Sequence, residues 1–379
     1  MRLTIFLLAV LLCRGSAVAQ RTVLRAGQFL DVRTGQVARN VYVAVENGRI
    51  VAAGPTMAPI PGDSVVDLSG FTVLPGLIDA HVHLAIGGTV RANALANLNA
   101  GFTTIVDLGS RTTRMLRIRD SINAGLIPGP RVLAAGIWIG KKDGVCEFGG
   151  IGIEGGAEQY RARVRENVDA GADLIKACVS GWPADAFAEP ERYELPDSVL
   201  AAIVEESRSR RRMVVAHDIS LGGVRAALRA GVDGLAHAAY LDSGTAVQMR
   251  TRGMFMIPTL ASLVGSDSSA AALALLRATN SAYRSGVTLV FGTDGGVLPH
   301  GENAREFFAM MQAGVPLPDA IRAATIGAAA AFGLADSVGT IAPGMVADII
   351  AVDGDPLRDP TALQRVRFVM SRGRVVLKK

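Results

Sequence analysis

The middle of the chain alternates between short apolar runs and longer stretches with helical periodicity. Eight strand-like runs are each followed by a helix-like segment, as at 157–171 and 317–333. Eight such alternations predict a parallel α/β fold and favour a closed (β/α)8 TIM barrel. The predicted strands lie at 77–83, 103–108, 131–136, 173–179, 213–217, 234–237, 254–258 and 288–293.

Both ends of the chain have the shorter apolar runs of β-strands. The stretch NVYVAVENGRIVAAG places two apolar runs around Asn47-Gly48, a dipeptide that suits a type I′ hairpin turn. Gly373 marks a second predicted turn near the carboxyl end. We therefore expect residues 20–73 and 338–379 to form one small β-sandwich domain, and residues 74–337 to form the barrel.

Residues 1–19 are typical of a signal peptide. Arg2 gives a positive start, an apolar run follows from 4 to 12, and small residues at 17–19 suit a cleavage site. The alternatives are an amino-terminal core strand or an anchor, but the run is too short to span a membrane as a helix. We expect export to the periplasm or the medium, with the mature protein beginning near Gln20. No later run is long and apolar enough for a membrane span.

Composition and charge exclude some classes of protein. Half of the 379 residues are hydrophobic, which indicates a globular chain, and the net charge of +5 comes from dispersed basic residues. We therefore expect no nucleic-acid partner and instead a small-molecule substrate; a homo-oligomer is left open. Of the three cysteines, Cys13 would leave with the signal peptide. Cys146 and Cys178 would then either form one disulfide or remain free thiols.

The five histidines are concentrated near the ends of predicted strands. In a parallel barrel the carboxyl ends of the strands form the active-site face. Because residues i and i+2 of a strand point to the same side, the first pair would be close enough to bind one metal ion. Neutral imidazoles converging on one rim suit zinc and similar metals, whereas each histidine alone would be read as structural. The five are His81, His83, His217, His237 and His300.

Two charged residues occur in otherwise apolar strand patterns. Asp294 ends the eighth predicted strand in LVFGTDGG, where it is either a helix cap or a metal ligand and proton carrier. Lys176 lies in the middle of GADLIKACVSG, although lysine is almost never fully buried without a partner. The pattern itself does not explain this lysine.

These features together resemble the amidohydrolase superfamily in its binuclear-metal form. The resemblance rests on PGLIDAHVHL, Lys176, His217, His237, Asp294 and GTIAPGMVADIIAVDGDP, and covers nearly all of the mature chain. The stretches GTDGGVLPHGEN and AIRAATIGAAAAFGL look most similar to the branch with imidazolonepropionase-like proteins and Xaa-Pro and Xaa-Arg dipeptidases.

The resemblance implies a metal-dependent hydrolase of amide bonds, in dipeptides or N-acyl amino acids. Two divalent metals, expected to be zinc, would be held by His81, His83, Lys176, His217, His237 and Asp294. Lys176 would be carboxylated by carbon dioxide and bridge both metals, so that its charge becomes negative. A metal-bridging hydroxide would attack the carbonyl carbon. Asp294 would be the catalytic proton shuttle.

Loops after the strands are expected to select the substrate. Tyr240 and His300 are candidate substrate contacts, although either could serve only in packing or in bracing the rim. Trp138 and Trp182 would either form an aromatic wall of the pocket or pack in the interior, and Lys141-Lys142 would either contact a substrate carboxylate or lie on the solvated surface. Dipeptidase-like relatives commonly have a Gly-Gly-His element after the third strand, whereas this chain has GIWIGKKDGVCEFGGIG. That departure weakens the expectation of dipeptidase activity, not that of hydrolysis.

Two other functions remain as alternatives. One is an imidazolone or cyclic-amide hydrolase, or a deaminase, with a single metal, against which Lys176 argues because one metal needs no bridging ligand. The other is a non-catalytic binding protein on the same scaffold, against which the complete ligand set argues.

Overall fold

The structure is a computed structural model that describes residues 21–264 and 270–379. The predicted signal peptide therefore lies outside the described residues. Eight parallel strands occupy the middle of the chain, close to the predicted runs: β5 Leu77–Val82, β6 Phe102–Asp107, β7 Arg131–Ala134, β8 Ile175–Cys178, β9 Val214–Asp218, β10 Gly234–His237, β11 Phe255–Ile257 and β12 Thr288–Leu289.

These eight strands form two sheets, in the orders β5-β6-β7 and β12-β11-β10-β9-β8. Backbone hydrogen bonds connect the sheets on both sides. On one side the Ala80 nitrogen donates to the Phe291 carbonyl at 2.9 Å, and on the other the Cys178 nitrogen donates to the Ile139 carbonyl at 2.8 Å. The α/β class is thus as predicted. Within each sheet, neighbouring strands are also consecutive in the chain.

The remaining strands come from both ends of the chain and pair into one seven-stranded sheet, in the order β15-β14-β13-β4-β1-β2-β3. Buried apolar side chains from six of these strands pack into a single cluster, so the sheet encloses a core of its own. Asn47 and Gly48 both have positive φ, at 50° and 77°, in the turn between β2 and β3. The strands are β1 Thr22–Asp31, β2 Gln36–Glu46, β3 Arg49–Gly54, β4 Ser64–Pro75, β13 Ile349–Val352, β14 Val366–Ser371 and β15 Arg374–Lys378.

Helices follow the parallel strands, and some of them begin with a side-chain cap. Ser220 accepts a hydrogen bond from the Gly223 nitrogen at 3.0 Å, and Asp242 accepts from Thr245 at 2.7 Å. Within the described ranges, no helix combines the length and the apolar character needed to cross a membrane. The helices are α1 Val90–Asn99, α2 Arg114–Asn123, α3 Ala157–Asp169, α4 Pro183–Ala188, α5 Asp197–Ser209, α6 Leu221–Ala230, α7 Ser243–Thr251, α8 Leu260–Val264, α9 Ala270–Arg284, α10 Arg305–Gln312, α11 Leu317–Arg322 and α12 Ala328–Ala331, with a π-helical turn at Ala323–Gly327 and a 3-10 turn at Pro360–Gln364.

Candidate active site

The first two histidines lie at the end of β5 and face the same aspartate. The Nε2 atoms of His81 and His83 are 3.4 Å and 3.2 Å from the Asp294 Oδ1 atom. The backbone fixes this arrangement, because the His83 nitrogen donates to the Gly295 carbonyl at 2.6 Å. His83 also places its Nδ1 atom 3.1 Å from the Gly109 carbonyl, which leaves Nε2 for the site.

Asp294 follows β12 and has φ 58°, a left-handed conformation that is uncommon outside glycine. Burial raises the pKa of its carboxyl group, but the adjacent rings of His81 and His83, with a hydrogen bond from His83, outweigh burial and bring the pKa well below its ordinary value. Asp294 is therefore a carboxylate, the form that binds a metal or accepts a proton.

His217 and His237 form a second pair at the ends of β9 and β10, with ring centroids 4.6 Å apart. His237 has φ 72°, and its Nδ1 atom lies 2.6 Å from the Thr259 hydroxyl, so Nε2 remains free for a ligand. The centroids of His237 and His81 are 5.3 Å apart, which brings the two pairs together. Candidate ligand atoms of His81, His237 and Asp294 all lie within 4.8 Å of one another.

Burial keeps most of these imidazoles neutral. It lowers the pKa of His237 to about 4, and it lowers those of His81 and His217 well below the ordinary value, assisted by neighbouring positive charges. Neutral imidazole is the form that coordinates a metal. The donor set of imidazole nitrogens and one carboxylate therefore fits a zinc-like divalent ion.

Lys176 lies on β8 between the two groups and is almost fully buried, with 2% of its surface exposed. Lys176 lowers the pKa of His81 and of His217, and Asp294 raises that of Lys176, so the lysine lies near these three side chains. Burial lowers the pKa of Lys176 to about 7. Among the residues that the structure describes, the Nζ atom has no hydrogen-bond partner.

Tyr240 and His300 lie in different surroundings. The Tyr240 hydroxyl is buried without a partner in the described part of the chain, as a group reserved for a ligand would be. By contrast, both ring nitrogens of His300 are near rim groups, Nδ1 at 3.0 Å from the Asn97 amide and Nε2 at 3.2 Å from the Ile86 carbonyl. His300 thus contacts groups of the rim in this structure, in keeping with the expectation that it could brace the rim rather than contact substrate.

The loop after β7 is bonded to β8 by a disulfide between Cys146 and Cys178, with Cα atoms 6.2 Å apart. Trp138 lies against His83, with ring centroids 5.4 Å apart, and continues through Phe148 to Trp182. Of the two neighbouring lysines, Lys142 pairs with Glu154 at 2.8 Å on the exposed surface.

A buried polar network behind the metal ligands was missed by the sequence analysis. Asp79 accepts hydrogen bonds from the His81 nitrogen at 3.1 Å, the Thr293 hydroxyl at 2.7 Å and the Asn303 amide at 2.6 Å. It therefore couples the strand of His81 to the residue before Asp294. Burial raises its pKa to about 6. Its place in GLIDAHVHL, two residues before His81, was the available signal.

The geometry thus defines a class: an α/β protein whose strand ends gather histidines, a lysine and an aspartate for metal-dependent hydrolysis. The chain belongs to the amidohydrolase family, whose model matches residues 72–376.

Comparison with individual proteins shows which members of the family this chain is similar to. It is 26% identical to ochratoxinase of Aspergillus niger over 93% of this chain and 85% of that protein. It is 27% identical to imidazolonepropionase of Sphingopyxis alaskensis over 83% of this chain and 87% of that protein. A crystal structure of a Xaa-Pro dipeptidase, which has methionine bound in its active site, superposes with a TM-score of 0.88 at 27% identity, over 94% of this chain and 100% of that one.

These comparisons confirm the predicted resemblance, including its imidazolonepropionase and dipeptidase branch. They also establish that the chain is a hydrolase of C–N bonds, and that its fold is the barrel-plus-extra-domain architecture of the amidohydrolases. The family, with its amide-hydrolase and dipeptidase relatives, supports metal-dependent amide hydrolysis.

Proposed function

We propose that this chain is an exported two-metal amidohydrolase, on a closed (β/α)8 barrel, that cleaves the amide bond of N-acyl amino acids or dipeptides. The observation that carries the proposal is the buried Lys176 Nζ atom, which lacks a hydrogen-bond partner among the described residues. Lys176 also lowers the pKa of one histidine of each pair, His81 and His217, so it lies near both pairs. A single-metal site would leave such a lysine without a role.

The residues fit two metal ions. His81, His83 and Asp294 would hold one, and His217 with His237 the other. Zinc suits these nitrogen and oxygen donors. When bound, divalent metals supply Lewis acidity, which lowers the pKa of water and polarises a carbonyl group.

Lys176 would bridge the two metals as a carbamate. Its neutral amine forms an N–C bond to carbon dioxide and releases one proton, which leaves an anionic pair of oxygen ligands in place of a cation. Burial favours the neutral amine, because the surrounding protein disfavours charge on Nζ. The carbamate thus removes the electrostatic objection to a lysine between two dications.

Two other side chains act on the substrate directly. Asp294, held as a carboxylate, would accept a proton from the attacking water and deliver it to the leaving nitrogen. The Tyr240 hydroxyl would donate a hydrogen bond to the substrate carbonyl oxygen. His300 would keep its position in the rim.

The substrate class draws on the relatives. Ochratoxinase and a Xaa-Pro dipeptidase are among them, and the dipeptidase structure contains an amino acid in its active site. This chain has no histidine in the loop after β7, where dipeptidase-like relatives commonly have one. That loop therefore favours N-acyl amino acids over free dipeptides.

Export is supported by the first nineteen residues and by the disulfide between Cys146 and Cys178, since such bonds persist in oxidising compartments. The expected mature protein is a periplasmic or secreted enzyme.

Metal analysis of a Lys176→Ala variant tests the proposal. Wild-type protein loaded with zinc should contain about two metal ions per chain, and the variant should lose at least one of them together with its activity. Lys378→Ala, which removes an exposed lysine of β15, is the matched control and should retain both metals.

Three results would count against the proposal. A full set of metals in Lys176→Ala would remove the bridging role. About one metal in wild-type protein would instead favour a single-metal cyclic-amide hydrolase or deaminase. If the zinc-loaded wild-type protein hydrolysed no member of either an N-acyl amino acid library or a dipeptide library, the proposed substrate class would be wrong.

A further inference from the structure

A row of aromatic rings leads from the metal-ligand histidines to the surface. The ring centroids of His83 and Trp138 are 5.4 Å apart, those of Trp138 and Phe148 are 5.0 Å apart, and those of Phe148 and Trp182 are 6.4 Å apart. All three steps have the tilted or edge-to-face geometry that aromatic pairs prefer. We call Trp138, Phe148 and Trp182 the aromatic wall.

The inner end of the wall is fixed against the site. Trp138 is buried and packs on Gly109, where a Cβ atom would lie only 2.4 Å from the indole Nε1 atom. The Gly109 carbonyl is also the group 3.1 Å from His83 Nδ1. One backbone position therefore sets both a metal-ligand histidine and the first ring of the wall.

The outer end of the wall is open. Trp182 has 51% of its surface exposed. Trp182 lies in the segment that follows β8, the strand that carries Lys176. The wall therefore flanks the candidate metal centre on the β7–β8 side.

The middle of the wall is held by the disulfide. Cys146 and Cys178 belong to the same buried apolar cluster as Trp138, and Phe148 packs against that cluster. The disulfide thus links the loop that carries Phe148 to the strand that carries Lys176. A wall built on these supports is preformed, which reduces the entropy lost on binding.

Charged groups around the wall are engaged with the protein itself. The Asp185 carboxylate accepts a hydrogen bond from the backbone nitrogen of Trp182 at 3.1 Å, and the Glu194 carboxylate accepts one from the backbone nitrogen of Val145 at 3.1 Å. Lys142 pairs with Glu154. The face that the wall offers to a ligand is therefore apolar and aromatic.

We propose that the aromatic wall is the specificity subsite of this enzyme and receives an aromatic ring attached next to the scissile C–N bond. The inference rests on the proposed function, because it places the ring of an N-acyl amino acid or dipeptide beside the metal centre. A ring stacked on Phe148 and Trp182 would complete the edge-to-face row and cover the exposed indole.

Paired probes that differ only in the ring test the proposal on the zinc-loaded mature protein. N-acetyl-L-phenylalanine is compared with N-acetyl-L-alanine, and N-benzoylglycine with N-acetylglycine. Wild-type protein should prefer the ring-bearing member of at least one pair by about tenfold in kcat/KM or in Kd, a difference of about 1.4 kcal/mol. The pair that shows the preference identifies which side of the bond faces the wall.

Variants of the wall supply the matched comparison. Trp182→Ala and Phe148→Ala should lose most of the preference through a higher KM for the ring-bearing probe, whereas Trp182→Phe, which keeps a ring, should retain part of it. Leu126→Ala truncates an exposed apolar side chain between α2 and β7, at the amino end of a strand, and should leave the preference unchanged.

Tryptophan fluorescence gives a readout that does not depend on turnover. The chain has two tryptophans, and both belong to the wall. Ring-bearing probes should therefore perturb the emission at concentrations where the ring-free probes do not. Trp182→Phe should reduce this response without abolishing it.

The outcomes separate this inference from the proposed function. Ring-selective binding without hydrolysis would contradict the proposed function but support the proposed subsite. Hydrolysis of both members of each pair at equal efficiency, or a ring preference unchanged in Trp182→Ala and Phe148→Ala, would overturn the subsite and leave the function standing.

Discussion

At the scale of single residues, several site side chains are held in states that cost free energy. Asp294 and His237 both have positive φ, at 58° and 72°, and a non-glycine residue there carries a cost of about 1–3 kcal/mol. Lys176 and Tyr240 each bury a polar atom that finds no partner within residues 21–264 and 270–379. Such features concentrate at functional sites, where a ligand restores the missing interactions.

The Tyr240 hydroxyl provides a residue-scale prediction. Tyr240→Phe removes the donor but keeps the ring, so kcat should fall by about 10²-fold if the hydroxyl stabilises charge that develops on the carbonyl oxygen. KM and metal content should change much less, because the lost bond strengthens only in the transition state. Steady-state kinetics and metal analysis measure both effects.

The control for this change is Tyr283→Phe, which removes a hydroxyl bonded to Asp319 at 2.7 Å on the outer helices. It should leave kcat unchanged. A Tyr240→Phe variant with wild-type kcat would assign Tyr240 to packing.

At the scale of elements, the strand pattern could be predicted because apolar runs and turn residues are local signals. The run at 234–237 coincides with β10, and Asn47-Gly48 forms the predicted turn. The eighth strand is shorter than expected, since β12 ends at Leu289 and the chain then forms single hydrogen bonds to several neighbours. The length of such a strand depends on partners that are distant in the chain, so it cannot be predicted from the strand's own residues.

The helix predicted over 317–333 shows the same limit. In the structure α11 and α12 are separated by a π-helical turn at Ala323–Gly327. The Ala323 carbonyl accepts a hydrogen bond from the Phe291 nitrogen, so the widened turn connects this helix to the segment that leads to Asp294. The alanine-rich sequence gives no local sign of this partner.

The residues of the candidate site also differ in whether the sequence alone could predict them. His81, His83, Lys176, His217, His237 and Asp294 could be selected because each is a chemically unusual residue at a strand end. The Asp79 network could not, since Asp79 and Thr293 are 214 residues apart along the chain. Long-range contacts of this kind carry no periodic signal. Of the aromatic wall, Trp138 and Trp182 were predicted, whereas Phe148 between them was not.

The disulfide supplies the element-scale prediction. It closes a loop with a sequence separation of 32, so the double change of Cys146 and Cys178 to alanine should lower stability by about 3–4 kcal/mol. Chemical unfolding of the mature protein should show a lower midpoint. A reductant should destabilise wild-type protein similarly and have no effect on the double variant. Equal midpoints for oxidised and reduced wild-type protein would contradict the prediction.

At the scale of the whole molecule, the two ends of the chain meet in one sheet, and the parallel strands between them bring the candidate metal ligands to one rim. Strand β4 continues through Pro75 almost directly into β5, which carries His81. Strand β13 pairs with β4 in register from Ile349↔Pro75 to Val352↔Thr72. The terminal sheet therefore anchors the start of the first ligand-bearing strand.

Metal ions should then stabilise the entire fold. Ions that bind only the folded chain raise its stability by about 4 kcal/mol at a thousandfold excess over Kd. Removing them leaves several buried imidazoles and Lys176 without a metal ion to coordinate, so a chelator should lower the Tm of wild-type protein by several degrees, and added zinc should restore it. Lys176→Ala, which should hold metal weakly, is expected to show a smaller shift. Calorimetry with parallel metal analysis makes the comparison, and an unchanged Tm in fully metal-free wild-type protein would show that the ligand cluster is stable without ions.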